Sequence, residues 1–136
     1  MPKIRNAIAA MAVVVLTVLT GAVDAYAAPA SPAATGFLFV YYGTYQDNVC
    51  GQFDQNQSVW GPCTNKAESL FNDGYPGNRD DAKVYWGANY TGAWRYLYNG
   101  AILNDLHDFT FDPSNGASGH GQQLWHNIAS SSWVNL

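Results

Sequence analysis

The side chains with the most chemical potential are three histidines, His107, His120 and His126, and two cysteines, Cys50 and Cys63. Asp105 and Asp108 flank His107, a pairing in which a carboxylate can orient an imidazole as a general base, and three imidazoles are enough to ligate zinc. The spacing supports neither role. No His-Glu-x-x-His is present, no serine stands in Gly-x-Ser-x-Gly, and His120 falls in the Gly- and Ser-rich stretch 116–121, which offers no fixed geometry. The histidines are expected on the surface, no catalytic residue is assigned, and the chain reads as a non-enzyme. Trp60, Trp86, Trp94, Trp125 and Trp133 admit two uses: flat platforms for sugar rings, or packing. Their alternation with small and polar residues favours packing in the core.

The compartment decides what the cysteines do. Lys3 and Arg5 precede an apolar run from Ala7 to Leu19, and Ala25-Tyr26-Ala27 supplies small residues for a signal peptidase. Residues 1–27 read as a signal peptide cleaved between Ala27 and Ala28, since the apolar run is shorter than the roughly 20 residues of a bilayer span. The protein is then secreted and extracellular. An even pair of cysteines in an exported chain is expected to form a disulfide, Cys50–Cys63. Residues 28–36, with Pro29 and Pro32, read as a flexible leader. What remains suits one domain. Past the signal, Lys66, Arg79, Lys83 and Arg95 face nine acidic residues, 4 − 9 = −5. That balance, with no basic cluster, argues against nucleic acid or an anionic membrane as partner. A monomer is expected.

Residues 37–136 carry short apolar or alternating runs separated by Gly, Asn, Asp and Pro: Phe37 to Tyr42, Lys83 to Trp86, and Ala93 to Tyr98. This predicts many short strands. Ile102 to His107 has room for a helical turn, Asp112 to Gly121 reads as a long loop, and Asp80-Asp81 as a solvated turn. An internal repeat is visible. Val40-Tyr41-Tyr42-Gly43 returns as Val84-Tyr85-Trp86-Gly87, followed by Tyr45 and Tyr90 respectively. Asn65-x-Ala67-x-Ser69-x-Phe71 returns as Asn127-x-Ala129-x-Ser131-x-Trp133. Two related halves, about 37–74 and 82–136, predict an all-β two-sheet sandwich with Greek-key connections.

Tyr85-Trp86-Gly87-Ala88-Asn89-Tyr90-Thr91-Gly92 resembles the folded-hairpin signature of βγ-crystallin Greek keys, with Tyr85, Tyr90 and Gly92 as its motif residues. The first half departs from it, because Tyr45 is followed by Gln46 and Asp47 with no glycine in place. Within that superfamily the chain is similar to small secreted bacterial peptidase inhibitors of the metalloproteinase-inhibitor type. The resemblance implies a βγ-crystallin-like sandwich and an extracellular peptidase as partner, held by a rigid loop inserted into its cleft. Asp47 to Cys63 and Asp112 to Gly121 are the candidate loops. The alternative it implies is a calcium-binding or structural module. Calcium in such domains is held at Asn/Asp-Asn/Asp-x-x-Ser/Thr-Ser, and the corresponding stretches here, 64–69 and 126–131, keep only part of it. Asn65, Glu68, Asn127 and Ser130 are the calcium candidates, against a reading of both stretches as hydrogen-bonded turns without any cofactor.

Overall fold

Short apolar or alternating runs form the strands β1 (Phe37–Tyr41), β2 (Val49–Phe53), β3 (Ser69–Asp73), β4 (Asp81–Tyr85) and β5 (Trp94–Leu97), joined by β6 (Ile102–Leu103) and the serine-led β7 (Ser130–Val134), in a computed structural model that describes residues 31–112 and 116–136. The signal peptide 1–27, the Ala27–Ala28 cleavage and the first residues of the 28–36 leader lie outside the described residues, as do 113–115 of the long loop. The strands form two antiparallel sheets, ordered β2-β1-β3-β6 and β5-β4-β7. The expected all-β two-sheet sandwich is the observed architecture.

Each half pairs a short segment with the other half's sheet. β6 comes from the second half but pairs with β3 through Leu70↔Leu103 and Phe71↔Ile102. In return Gln57, from the first half, pairs with Ser131 on β7, its N–H donating to Ser131 O at 2.8 Å and its carbonyl accepting from Ser131 N at 2.9 Å. This reciprocal exchange closes the two Greek keys on each other.

The inward residues of the strands meet between the sheets: Leu38, Val40 and Leu70 from one, Ala82, Val84 and Leu97 from the other. Trp60, Leu106, Phe111, Leu124 and Ile128, carried on connections, fill the ends of the sandwich and are buried as deeply. Burying a side chain of this kind contributes about 1.5–3 kcal/mol each, so the connections matter to the core as much as the strands. Trp60 sits at the head of a short 3-10 turn, Gly61–Cys63, and the Cys50–Cys63 disulfide ties that turn to β2 across a Cα–Cα distance of 5.6 Å. Closing a 13-residue separation is worth about 3 kcal/mol through the unfolded chain.

Two local expectations change. Ile102 to His107 divides into β6 and a 3-10 turn, Leu106–Asp108. Asp80 and Asp81 are not a solvated turn: Asp81 begins β4, is buried, and accepts from Asn99 N and Leu136 N, while Asp80 accepts from Gly77 N. Unpaired chain N–H groups recruit these carboxylates to organise the connections around them.

Candidate functional site

The two hairpins that begin each half set the geometry of the rest. In the second, Tyr85 and Tyr90 meet edge to face at 5.7 Å, and Gly92 turns at φ +78°, where a Cβ would stand 2.9 Å from Ser118 O. Ser130 locks this hairpin to β7: its hydroxyl donates to Gly87 O at 2.6 Å and accepts from Tyr90 N at 3.1 Å. The first hairpin repeats the lock. Ser69 donates to Gly43 O at 2.6 Å and accepts from Gln46 N at 3.0 Å.

These bonds revise the repeat register. Gln46, not Tyr45, is the counterpart of Tyr90, and Asn48 takes the place of Gly92 with φ +56°. Tyr45 matches Asn89, and each donates its N–H at 2.7 Å to the segment received from the other half, at Asn104 O and Ser58 O. In the later pattern Ser69 matches Ser130, not Ser131, and Asn65 matches His126, both with φ +56°. Glu68 N and Ala129 N confirm the shift, donating at 3.0 Å to Tyr41 O and Tyr85 O respectively.

The shift decides how the calcium candidates are placed. The stretches 64–69 and 125–130 run side by side, with Asn65 N donating to Ile128 O at 2.8 Å and His126 N to Ala67 O at 3.1 Å. The first has oxygen on Thr64, Asn65 and Glu68, and Thr64 Oγ1 is buried without a partner. The matching positions of the second are Trp125, His126 and Ala129, whose side chains carry no oxygen. Ser130 is engaged by the hairpin, and Asn127 Nδ2 donates to Gln123 O at 2.9 Å. A hard cation takes six to eight oxygens at about 2.3–2.6 Å, and at these matching positions the second stretch offers it backbone carbonyls and no side-chain oxygen. Among the described residues no three His, Cys, Asp or Glu side chains gather as a metal cluster.

A side-chain pair spans the stretches instead. His126 Nε2 lies 3.0 Å from Glu68 Oε1. The His126 ring stacks on Trp125 at 3.6 Å, and the other neighbour of Trp125 is His107, stacked at 4.2 Å. His107 Nδ1 reaches Asp105 Oδ1 at 2.8 Å, and the same oxygen caps the 3-10 turn by accepting from His107 N at 3.0 Å. That backbone donor, and then the imidazole, hold the Asp105 carboxyl below its ordinary value. Elsewhere, burial and then the charge of Asp73 raise the Tyr41 hydroxyl. His120 stands apart, its N–H bonded to Ala117 O.

Among the described residues, both candidate loops are tied to the domain. Between Asp47 and Cys63 the chain forms β2, pairs through Gln57 with β7, and donates Trp60 N to Ala129 O at 2.9 Å. The long loop is held against the second hairpin: Ser118 O accepts from Ala93 N at 2.8 Å, Gln122 Oε1 accepts from Trp86 Nε1 at 3.0 Å, and the Trp86 ring rests on Gly119.

Solved structures share this arrangement. A structure from a study of the evolution of the eye-lens βγ-crystallin domain fold superposes with a TM-score of 0.57 at 14% identity, over 81% of this chain and 95% of that one. The domain has the βγ-crystallin fold. A βγ-crystallin from an archaeon gives a TM-score of 0.52 at 13% identity, covering 72% of this chain and 96% of its own. A βγ-crystallin from Ciona intestinalis gives 0.51 at 8% identity, covering 72% and 99%. No protein-family model and no curated protein matches the chain.

The residues that sequence reasoning missed are Gln46, Asn48 and the Glu68–His126 pair. Asn48 carried a usable signal, because asparagine is among the few non-glycine residues that accept the left-handed region.

Proposed function

We propose that this chain is an exported, non-enzymatic βγ-crystallin module with a structural role, which holds its fold without calcium. The observation that carries this reading is the Glu68–His126 pair at 3.0 Å. It bridges the two stretches where the resemblance places calcium, so the chain's own side chains join the halves there. The serine locks at Ser69 and Ser130 and the disulfide add ties that need no ion. Export rests on the signal-peptide reading of residues 1–27, and the disulfide suits an oxidising compartment.

Peptidase inhibition rests on the sequence resemblance alone. Loop insertion requires a projecting segment whose backbone is free to pair with a protease, whereas both candidate loops have donors and acceptors bound within the domain. Thermal unfolding of the purified, disulfide-bonded protein in EDTA and in millimolar calcium tests the reading. Identical midpoints are expected; a saturable rise with calcium would replace it with a calcium-binding module. In parallel, titration against secreted metallo- and serine peptidases is expected to leave their activity unchanged, and stoichiometric inhibition would restore the inhibitor.

A further inference from the structure

We propose that the cleft between residues 54–56 and 74–79 is a carbohydrate-binding site, taking a segment of a glycan against the rings of Tyr75 and Trp133. The cleft has a volume of about 490 Å³ and is open to solvent, within the about 300–1,000 Å³ of small-molecule sites. Both rings line it, and both lie directly on glycine backbone. A Cβ on Gly36 would stand 2.4 Å from the Tyr75 ring, and one on Gly74 would stand 2.9 Å from the Trp133 ring. Only glycine allows those approaches. Tyr75 is nevertheless 67% exposed, so its ring is seated on the chain without being buried.

The base of the cleft is fixed. Gly74 N donates to Asn72 Oδ1 at 3.0 Å, and Gly74 O accepts from Asn99 Nδ2 at 2.7 Å. Gly36 N donates to Asp73 O at 2.8 Å. Asn56 Oδ1 accepts from Trp133 N at 2.8 Å, which anchors the opposite wall and leaves the Asn56 amide N–H groups for a ligand. A site on tied backbone loses little freedom when it binds.

The polar lining suits hydroxyl groups. The side chains of Asp54, Gln55 and Asn78 have no hydrogen-bond partner among the described residues, and Arg79 reaches only Trp133 O, at 3.5 Å. A carboxylate, planar amides and a guanidinium offer paired donors and acceptors at the spacing of vicinal hydroxyls. The C–H groups of a pyranose, polarised by neighbouring oxygens, face the negative side of an aromatic ring favourably. A phosphorylated ligand would need an excess of positive charge, and Asp54 balances Arg79 here. An aliphatic ligand would need an enclosed apolar cavity, and this one is open and amide-rich.

The test is a titration of the purified, disulfide-bonded protein with cellohexaose, laminarihexaose and the hexamer of N-acetylglucosamine. It is followed by tryptophan fluorescence and by the side-chain amide and indole signals of Asn56, Asn78 and Trp133. Saturable binding of at least one probe is expected, with shifts at those three residues. Tyr75→Ala, an exposed position, should keep the melting temperature and weaken binding at least about tenfold. Tyr98→Ala, 63% exposed and outside the cleft, should change nothing. Failure of all three probes to saturate at millimolar concentration overturns the proposal. So does binding that Tyr75→Ala leaves intact, or that Tyr98→Ala weakens equally.

Discussion

At positions 48 and 92 the backbone turns through the left-handed region, with φ of +56° and +78°, and two different residues make that turn. Asparagine tolerates it at a modest cost; glycine has none, and at 92 there is no room for a side chain beside Ser118 O. Exchange of the turn residue is therefore tolerated unequally. Gly92→Ala should lose about 1–2 kcal/mol from backbone strain alone, before any displacement of Ser118. Asn48→Gly should stay within about 0.5 kcal/mol of the parent. Chemical denaturation of the pair distinguishes them, and equal losses would mean that the two hairpins are not equivalent. Asp105 gives a second expectation. Its carboxyl is depressed from the ordinary 3.8 by the His107 N–H and ring. The stability this adds is present above that ordinary value and fades as pH falls through the lower folded one. Asp105→Asn keeps a cap but no charge, so its stability should vary less across that acid window, read as a flatter plot of unfolding midpoint against pH.

Among the elements, legibility followed length and alternation. β1, β4 and β5 were readable because inward Leu38, Val40, Ala82, Val84 and Leu97 alternate with outward neighbours. The exchanged strands were not, since a single pair at Gln57 and the two residues of β6 are too short to show a period. The register of β7 slipped by one residue because Ser130, Ser131 and Ser132 look alike in sequence, although the first locks the hairpin and the second faces inward. The disulfide was readable from cysteine count and export; the side-chain pair at Glu68 and His126 was not, because it joins residues 58 apart. Ser131 shows why a polar residue can hold an inward strand position: it is buried, and its hydroxyl accepts from the Trp60 indole at 2.9 Å. Ser131→Ala should strand that buried donor and lose about 1–3 kcal/mol. Ser132→Ala, on the other face of β7, should lose less, and a reversed order in urea denaturation would contradict the revised register.

Taken whole, the molecule is two halves that cannot be completed separately. Without the second half, β3 loses β6, Gln57 loses Ser131, and Leu38, Val40 and Leu70 face water. Without the first, Tyr85 and Tyr90 keep their hairpin, but Asn89 N loses Ser58 O and the inward face of β4 has no opposite sheet. A lone three-stranded sheet with an uncovered apolar face is marginal at best. Cutting the chain at the exposed Gly77–Asn78 turn, which separates the halves without interrupting a strand, tests this. Residues 32–77 and 78–136, produced separately, are each expected to lack a cooperative thermal transition. The first piece should lack one even with its disulfide closed, since a closed loop restricts the unfolded chain without supplying a partner for β3. Mixed, the two pieces should regain the transition together with the buried tryptophan emission of Trp60, at a midpoint that rises with concentration. A cooperative transition in either piece alone would show that one Greek key folds independently. The exchanged strands would then be a docking surface between finished units, not a condition for folding.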